Sequence, residues 1–531
     1  MKHINTSIYT FENLIKGNLL YVDKTQYMYK LVSAVGGQYF LSRPRRFGKS
    51  ITVSTLDAIF HGKKELFKGL YIYDTDYDWK EHPVIRVDFA AEIVTDIDSI
   101  NNSLKRTFDI IAESYGVENV GDSPAAMFKN MIYALNEKYG TGVVLLIDEY
   151  DKPILDHMNT PEEAEKYRGY MDSFYQVIKG SESMLRFVFI TGVTKFAKVS
   201  IFSKLNNIFD ITMHDDYAAM LGYTEQELVD NFGEYIEAAA EKHGKSFDAM
   251  CDDIRRWYDG FKFTDNGENM YNPVSIGSFF NNTYKFENYW FATGTASFLV
   301  KLLKKNRLVL SDLECVMISS DSFNTFDVAR LASDMVDTEQ IMQMLYQTGY
   351  LTLDKVVVQE PKMYSLRFPN KEVANSFASN LLNVYAGPRG AMSFVGQIVR
   401  GAMDGSTEGM IEALKSFFSG LPYDIQIKSE KYYQSIVYTI FKMCGMNVMT
   451  ELRTNVGRID AVMTIADHMY IIEFKLNRSA DAALEQIDEK KYADSFILPA
   501  RESGKTIHKL GINFCCDEDV RNITGWKEEV I

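Results

Sequence analysis

Cysteine is scarce in this chain, which has five thiols in 531 residues: Cys251, Cys315, Cys444, Cys515 and Cys516. None forms a C-x-x-C pair or stands at a zinc-like spacing from histidine, which excludes a disulfide scaffold and a thiolate zinc site. Reduced, mostly buried thiols are expected. Long hydrophobic runs are missing too, the longest purely aliphatic stretch being Val143 to Ile147. A bilayer helix needs about 20 apolar residues, so no membrane span is read. His3, Asn5, Thr6 and Glu12 interrupt the apolar residues after Met1, so no secretory signal is read and a cytoplasmic location is expected. An excess of positive charge is absent as well: 57 Lys and Arg against 72 Asp and Glu leave a net charge of -15. A protein that coats nucleic acid by bulk electrostatics is thereby excluded, and any such contact must be local. There is no internal repeat and no low-complexity tract.

What remains is an ordinary globular composition, 46% hydrophobic and 24% charged, in a chain long enough for roughly two to four domains. Charge is uneven: residues 1–60 hold eight Lys and Arg against three Asp and Glu, and residues 421–531 hold fourteen against seventeen. Apolar runs at Gln38–Leu41, Val84–Phe89, Val143–Ile147 and Phe187–Thr191 alternate with the helical patterns Lys49–Phe60, Ser99–Tyr115, Pro124–Tyr139 and Pro161–Lys179. That alternation predicts an α/β fold with a parallel sheet covered by helices on both faces. From Thr224 to Tyr258 the pattern is helical and acidic, a lid-like subdomain with turns at Asp259-Gly260 and Asp265-Asn266-Gly267. Residues 323–350 read as paired helices, and Tyr350–Val358 with Met363–Phe368 as a hairpin. Together they suggest a winged helix, a helical connector with a hairpin being the plainer alternative. After Ser419-Gly420-Leu421-Pro422 a new α/β segment starts: helix Ser429–Cys444, strands Asn447–Leu452, Gly457–Thr464 and Met469–Lys475, helix Ala480–Ser495, strand Lys509–Phe514.

Gly-Lys-Ser/Thr occurs three times, at Gly48, Gly244 and Gly504. A phosphate cradle needs main-chain N–H groups at a helix N-terminus fed by a strand, and only Gly48-Lys49-Ser50 has that setting. Gly244 reads as a helix C-terminal glycine and Gly504 as a polar turn. In the first copy Arg43 stands where a phosphate loop usually has its first glycine, within Arg43-Pro44-Arg45-Arg46-Phe47. Gly48 would admit phosphate closely, Lys49 would reach the β and γ phosphates, and Ser50 would ligate magnesium. The arginines add local positive charge; a solvated basic turn is the plainer reading. About a hundred residues on, Val143–Ile147 ends in Asp148-Glu149-Tyr150-Asp151, acidic residues at the strand tip where ligands bind in parallel sheets. Asp148 would hold magnesium and Glu149 would polarise the attacking water. Thr191, closing its strand, is a γ-phosphate sensor or simply a strand end, and Lys195 and Lys198 are surface charges.

A second constellation lies near the C-terminus. Asp460 closes Gly457-Arg458-Ile459-Asp460, and Glu473 and Lys475, two apart on one strand, share a face. Hairpin pairing would bring Asp460 beside them, giving two carboxylates for magnesium or manganese and an ammonium to stabilise a pentavalent phosphate. Glu430 and Gln486 are candidates to complete that shell, and Glu451 a weaker one. An exposed E-x-K ladder is the plain alternative. Against it, Tyr470-Ile471-Ile472-Glu473-Phe474 is core-like, and a charge there is costly unless paired or metal-bound.

These residues, with Tyr21-Val22-Asp23-Lys24-Thr25 and Ser42–Ser50, resemble bacterial proteins that join an AAA-ATPase-like domain to a PD-(D/E)XK nuclease-like domain. The resemblance spans essentially the whole chain, and the Arg-for-Gly loop looks like that family's own version. It implies an ATPase-like core over 1–215, a helical lid over 216–290, a helical region with a winged helix over 291–420, and a restriction-endonuclease-like α/β domain over 421–531. It implies nucleotide binding by Lys49, Ser50, Asp148 and Glu149, with Glu149 catalytic; Arg45, Arg46, Phe47, Gly48, Ile51 and Thr191 are the further candidate nucleotide contacts. Asp460, Glu473 and Lys475 become the nuclease core; Ile459 replaces the usual Pro without removing a ligand. The ATPase half is also similar to signalling ATPases that carry a winged helix after the lid. Expected cofactors are ATP and Mg2+, with Mn2+ an option at the nuclease site. DNA is the expected partner, RNA being also open, as is a homo-oligomer through the ATPase domain; AAA-type sites often borrow an arginine from a neighbouring subunit. The competing function is a nucleotide-dependent switch or DNA-binding module whose nuclease fold does not cut.

Overall fold

Val143–Asp148 is buried along its entire length, as a strand in the middle of a sheet covered on both faces must be. It is β3, second in a five-stranded sheet of order β2-β3-β4-β1-β5: β1 (Gly37–Ser42), β2 (Val84–Asp88), β3 (Val143–Asp148), β4 (Leu185–Gly192) and the two-residue β5 (Phe209–Asp210). All of its pairings are parallel. The structure is a computed structural model describing residues 1–34, 36–196, 208–290, 317–320, 322, 338–386, 391–420, 429–443, 446–453, 457–517 and 520–531. The four expected strands are all present; β5 is too short to leave a periodic signal.

Helices Lys49–Phe60, Ile97–Tyr115, Pro124–Tyr139 and Pro161–Gly180 connect the strands. Their starts follow local chemistry: Asp96 and Ser99 form a reciprocal capping box, and Ser123 caps Ala126 N ahead of Pro124 at the first helical position. Because β4 lies between β1 and β3, the loop after β1 and the carboxylates after β3 meet at one sheet edge, a single strand apart.

The lid consists of helices Glu225–His243, Phe247–Tyr258 and Pro273–Asn281 around buried Leu228, Phe232, Ile236, Met250, Ile254 and Phe279. Thr224 and Glu227 box the first helix, and Gly244 ends it with φ +62°, the glycine cap expected there. The hairpin is β7 (Thr352–Gln359) with β8 (Lys362–Arg367), to which β6 (Met317–Ser319) adds a third strand. Helix Thr338–Gln347 precedes it. Residues 323–337, where the paired helices were to begin, lie outside the described residues.

The chain divides into two compact units, one holding the described residues up to Trp290 with Met317–Glu372, the other the described residues from Val373 onward. The second unit has a mixed sheet in order β13-β12-β11-β10-β9. Its strands are β9 (Asn447–Arg453), β10 (Arg458–Ile465), β11 (His468–Leu476), β12 (Thr506–Cys516) and β13 (Arg521–Val530). Only β11 and β12 run parallel, joined through helix Ala480–Glu489. This unit starts well before residue 421. Helices Ala391–Met403 and Thr407–Ser419 belong to it because Phe418 packs on Tyr433 and Phe514, and Asn522 donates to Lys415 O and Ser419 Oγ. Turn formers at Ser419-Gly420 therefore mark a bend inside the unit. The helix expected to run to Ser495 stops at Glu489, and a second helix, Asp494–Glu502, follows.

Candidate functional sites

Ser42 ends β1, and six residues later Gly48, at φ +97°, turns the chain into helix Lys49–Phe60. Only glycine adopts that angle freely. Phe47 is buried between Phe261 and Phe263, ring centroids 4.8 and 5.3 Å away, so the loop is pinned to the lid side. Arg43 is not a loose surface charge: it is 1% exposed, donates to Ser42 O and Thr212 O at 2.9 and 2.7 Å, and lies 4.1 Å over the Phe263 ring. Burial holds its guanidinium down to about 10, still charged at neutral pH. The residue in the first-glycine position is thus a strut tying β1 to the segment after β5. Arg43→Gly, which restores the usual loop sequence, is expected to lower stability by roughly 2–4 kcal/mol through lost charged hydrogen bonds and ring contact. Urea unfolding measures it, and an unchanged midpoint would contradict the strut.

Lys49 is buried; its Nζ donates to Arg43 O and Pro44 O at 3.2 Å and lies 3.4 Å from Glu149 Oε1. Ser50 bonds the Asp148 side chain, whose carboxyl is pushed up to about 6 by burial and by the Glu149 charge. Asp148 Oδ1 accepts from Glu149 N at 3.0 Å, while Oδ2 is buried with no hydrogen-bond partner among the described residues. Asp88, which pairs with Asp148 in register, is raised by burial too, so a third carboxylate borders the site. Asp151 faces away, fully buried on Val193 N, Thr194 N and Thr194 Oγ1, where it fixes the turn after β4. Thr191 Oγ1 donates to Leu41 O at 2.7 Å and straps β4 to β1. Lys195 is ion-paired with Asp210, and Lys198 is outside the described residues.

Beside the loop opens a cavity of about 510 Å³, lined by Arg45–Thr52 and Glu149, by Ile4–Thr6, Ile8, Tyr9 and Tyr21 near the N-terminus, and by Met220–Tyr223, Pro273 and Gly277 of the lid. Nucleotide-sized ligands occupy cavities of this order. The N-terminal and lid linings were not legible from the sequence. Tyr21–Thr25 acquires a role here: Asp23 accepts from Thr25 N and Tyr71 N, and Lys24 Nζ donates to Ala219 O and to Glu227 Oε2 at 2.6 Å. Lys24 thereby ties the cavity's edge to the capping box of the first lid helix.

In the second unit, β10 and β11 pair with Ala461 opposite Ile472, which sets Asp460 next to Glu473. Asp460 Oδ2 accepts from Phe474 N at 2.8 Å. Glu473 is 2% exposed; its Oε1 takes Lys475 Nζ at 3.0 Å and Gln486 Nε2, and its Oε2 is buried without a hydrogen-bond partner among the described residues. Burial, then the Asp460 charge, pushes its carboxyl up to about 7. Gln486 arrives on helix Ala480–Glu489, which Ser479 caps. Gly511, opposite Glu473 on β12, lets that helix approach: a Cβ there would lie 2.5 Å from Ala480 O. Gly511→Ala is expected to cost about 1–3 kcal/mol and to shift Gln486 from Glu473, read by thermal unfolding together with metal affinity. An unaltered melting temperature would sink it.

Glu430 begins helix Glu430–Met443, half-buried, and no hydrogen bond or ion pair among the described residues joins it to Glu473. The Glu451 side chain lies outside the described residues. Asp460, Glu473, Lys475 and Gln486 are therefore brought together, and among the described residues no three acidic, histidine or cysteine side chains form a metal-binding group. Among them, too, no helix is long and apolar enough to cross a membrane.

Residues 5–202 match a family model described as a predicted AAA-ATPase, and residues 428–524 match the PD-(D/E)XK nuclease superfamily. The protein described as "Uncharacterized protein in vnfD 5'region" of Azotobacter chroococcum mcd 1 is 35% identical over 540 residues, covering 99% of either chain. A solved signal-transduction ATPase with numerous domains and a tetratricopeptide-repeat sensor, from Pyrococcus horikoshii, is 11% identical over 80% of this chain and 58% of that chain. Its TM-score of 0.22 is too low to bear on the fold. With both domain models matched and similarity to a relative along the full length, the chain belongs to the family of bacterial proteins that join a predicted AAA-ATPase domain to a PD-(D/E)XK nuclease superfamily domain.

Proposed function

We propose that this protein binds and hydrolyses ATP at the loop after β1 and hydrolyses phosphodiester bonds of DNA at the Asp460–Glu473–Lys475 centre, the first activity controlling the second. The observation that carries the nuclease reading is Glu473 Oε2, a buried carboxylate oxygen with no hydrogen-bond partner among the described residues. Left alone it is costly; a divalent cation satisfies it. Asp148 Oδ2 makes the same argument at the first site. Ser50 and Asp148 would hold Mg2+ there, and Asp460 and Glu473 would hold Mg2+ or Mn2+ in the second unit. Such an ion supplies positive charge to phosphate oxygens and acidifies water.

The chain's own groups do the rest. Lys49 Nζ, now 3.4 Å from Glu149, exchanges loop carbonyls for phosphate oxygens. Glu149 accepts a proton from the attacking water; as the water oxygen bonds to the γ-phosphorus, the bond to the β–γ bridging oxygen breaks and ADP departs with its electron pair. In the second unit Lys475 Nζ stabilises the charge that grows on the scissile phosphate.

Metal binding at Glu473 must displace a proton below about pH 7. Mn2+ affinity is therefore expected to rise as pH increases from 5.5 to 7.5, approaching tenfold per unit at the acid end, and to flatten above. Calorimetry measures it; an affinity flat over that range would contradict the protonated carboxyl. Stability moves oppositely. A carboxyl raised above its unfolded value makes the metal-free fold less stable as pH climbs from the unfolded value toward 7.

A second reading, a nuclease-like fold that binds DNA without cutting, is favoured by one observation: only two carboxylates converge with Lys475 among the described residues. Incubating plasmid DNA with the full chain, ATP and Mg2+ or Mn2+ separates the two. Nicked or linear product supports cleavage, and retarded but intact plasmid supports the switch.

A further inference from the structure

The loop carries three arginines, and the structure gives them three different occupations. Arg43 is a buried strut on Ser42 O and Thr212 O. Arg46, at φ +66°, donates from NH1 to Tyr289 O at 2.7 Å and so fastens the loop to the chain beyond the lid helices. Arg45 differs. Its main-chain oxygen is held by Trp290 Nε1 at 3.1 Å and Asn272 Nδ2 at 3.4 Å, but among the described residues its guanidinium has no hydrogen-bond or ion-pair acceptor. It is half-buried and lines the same cavity as Lys49, Ser50 and Glu149.

The loop also has fewer main-chain donors than a glycine-rich one. Pro44 has no N–H, and Arg43 N donates to Gly192 O at 3.1 Å. A triphosphate entering here meets a cradle short of two amides. The Lys49 ammonium, once it exchanges the two loop carbonyls for phosphate, still shares its charge with Glu149, 3.4 Å away. Negative charge developing at the γ-phosphate therefore needs another cation, and the uncommitted guanidinium with a fixed backbone is Arg45.

The geometry points to Arg45 as the arginine that donates to the terminal phosphate of ATP, supplied by the same chain rather than by a neighbouring subunit. This rests on the ATP reading above and adds to it that the site is complete in one polypeptide. Arg45 adds no step: it donates hydrogen bonds to γ-phosphate oxygens while the water attacks and ADP leaves.

The test uses the full chain and four variants, Arg45→Ala, Arg45→Lys, Lys49→Ala and Glu149→Gln. Arg45→Ala is expected to unfold at the wild-type temperature, since its main-chain anchors remain. It is expected to lose roughly a hundredfold in kcat for ATP and to lose about tenfold more affinity for ATP than for ADP. Arg45→Lys should recover affinity more than kcat, because an ammonium lacks the planar fork. Mixing Arg45→Ala with Lys49→Ala chains should restore no turnover, and wild-type turnover per chain should not depend on protein concentration. Restored turnover in the mixture would mean the arginine acts between subunits, and would overturn the proposal. So would an Arg45→Ala chain as fast as wild type. Should the wild-type chain fail to bind ATP while Glu149→Gln also fails, the ATP reading itself falls; ATP binding with an indifferent Arg45 overturns only this inference.

Discussion

Plasmid cleavage by Asp460→Ala and by Lys475→Ala chains is expected to fall at least about a hundredfold, whichever divalent ion is supplied. The two substitutions should fail for different reasons. Asp460→Ala removes one of two carboxylates and also the acceptor for Phe474 N, so metal affinity should drop with activity. Removing Lys475 leaves both carboxylates but takes away the partner that shares Glu473 Oε1 with Gln486. With Asp460 beside it, Glu473 should then bind its proton more firmly in the metal-free chain, while a divalent ion is no longer opposed by an ammonium. Metal affinity of Lys475→Ala is expected to survive at pH 8 while cleavage does not. Calorimetry and gel-resolved cleavage on the same preparations read both. Full cleavage by either variant removes the nuclease assignment.

Glu149→Gln should produce the opposite split at the first site. Its carboxylate is 3.4 Å from Lys49 Nζ and repels incoming phosphates, so the amide should bind ATP more tightly, by a few-fold, while phosphate release falls by roughly two to four orders of magnitude. It should also relieve Asp148, whose carboxyl is held up partly by the Glu149 charge. Fluorescent-ATP titration and a phosphate-release assay measure the pair. A variant that turns over ATP at the wild-type rate would show that Glu149 does not receive the proton. If cleavage by Glu149→Gln follows ATP binding rather than hydrolysis, occupancy of the first site is the control exerted on the second.

Much of both sites was legible because each rests on short-range pattern. Val143–Ile147 followed by Asp148-Glu149 announced a buried strand with acidic residues at its tip, and the strand before Gly48-Lys49-Ser50 separated that tripeptide from its copies at Gly244 and Gly504. The alternation of Tyr470–Lys475 placed Glu473 and Lys475 on one face. What escaped is long-range. Nothing near Arg43 announces that it donates to Thr212 O, 169 residues away, so the residue in the first-glycine position turns out to be a buried strut. Lys24 reaches Glu227 across 203 residues, and the N-terminal lining of the cavity is visible only once the lid is folded over it. Periodicity also fails at β13, where Lys527, Glu528 and Glu529 mask a strand that pairs along most of β12. At Ser419-Gly420 the turn signal is local, whereas the packing of Phe418 on Phe514, which places the preceding helix in the second unit, is not.

Two divalent-ion centres for phosphorus chemistry are expected in this one polypeptide. Anomalous scattering from crystals grown with Mn2+ and a non-hydrolysable ATP analogue locates them. Two peaks are predicted, one between Ser50 and Asp148 and one against Asp460 and Glu473. An ordered second unit with no peak beside Glu473, or an analogue bound anywhere but the cavity at Lys49, would contradict it.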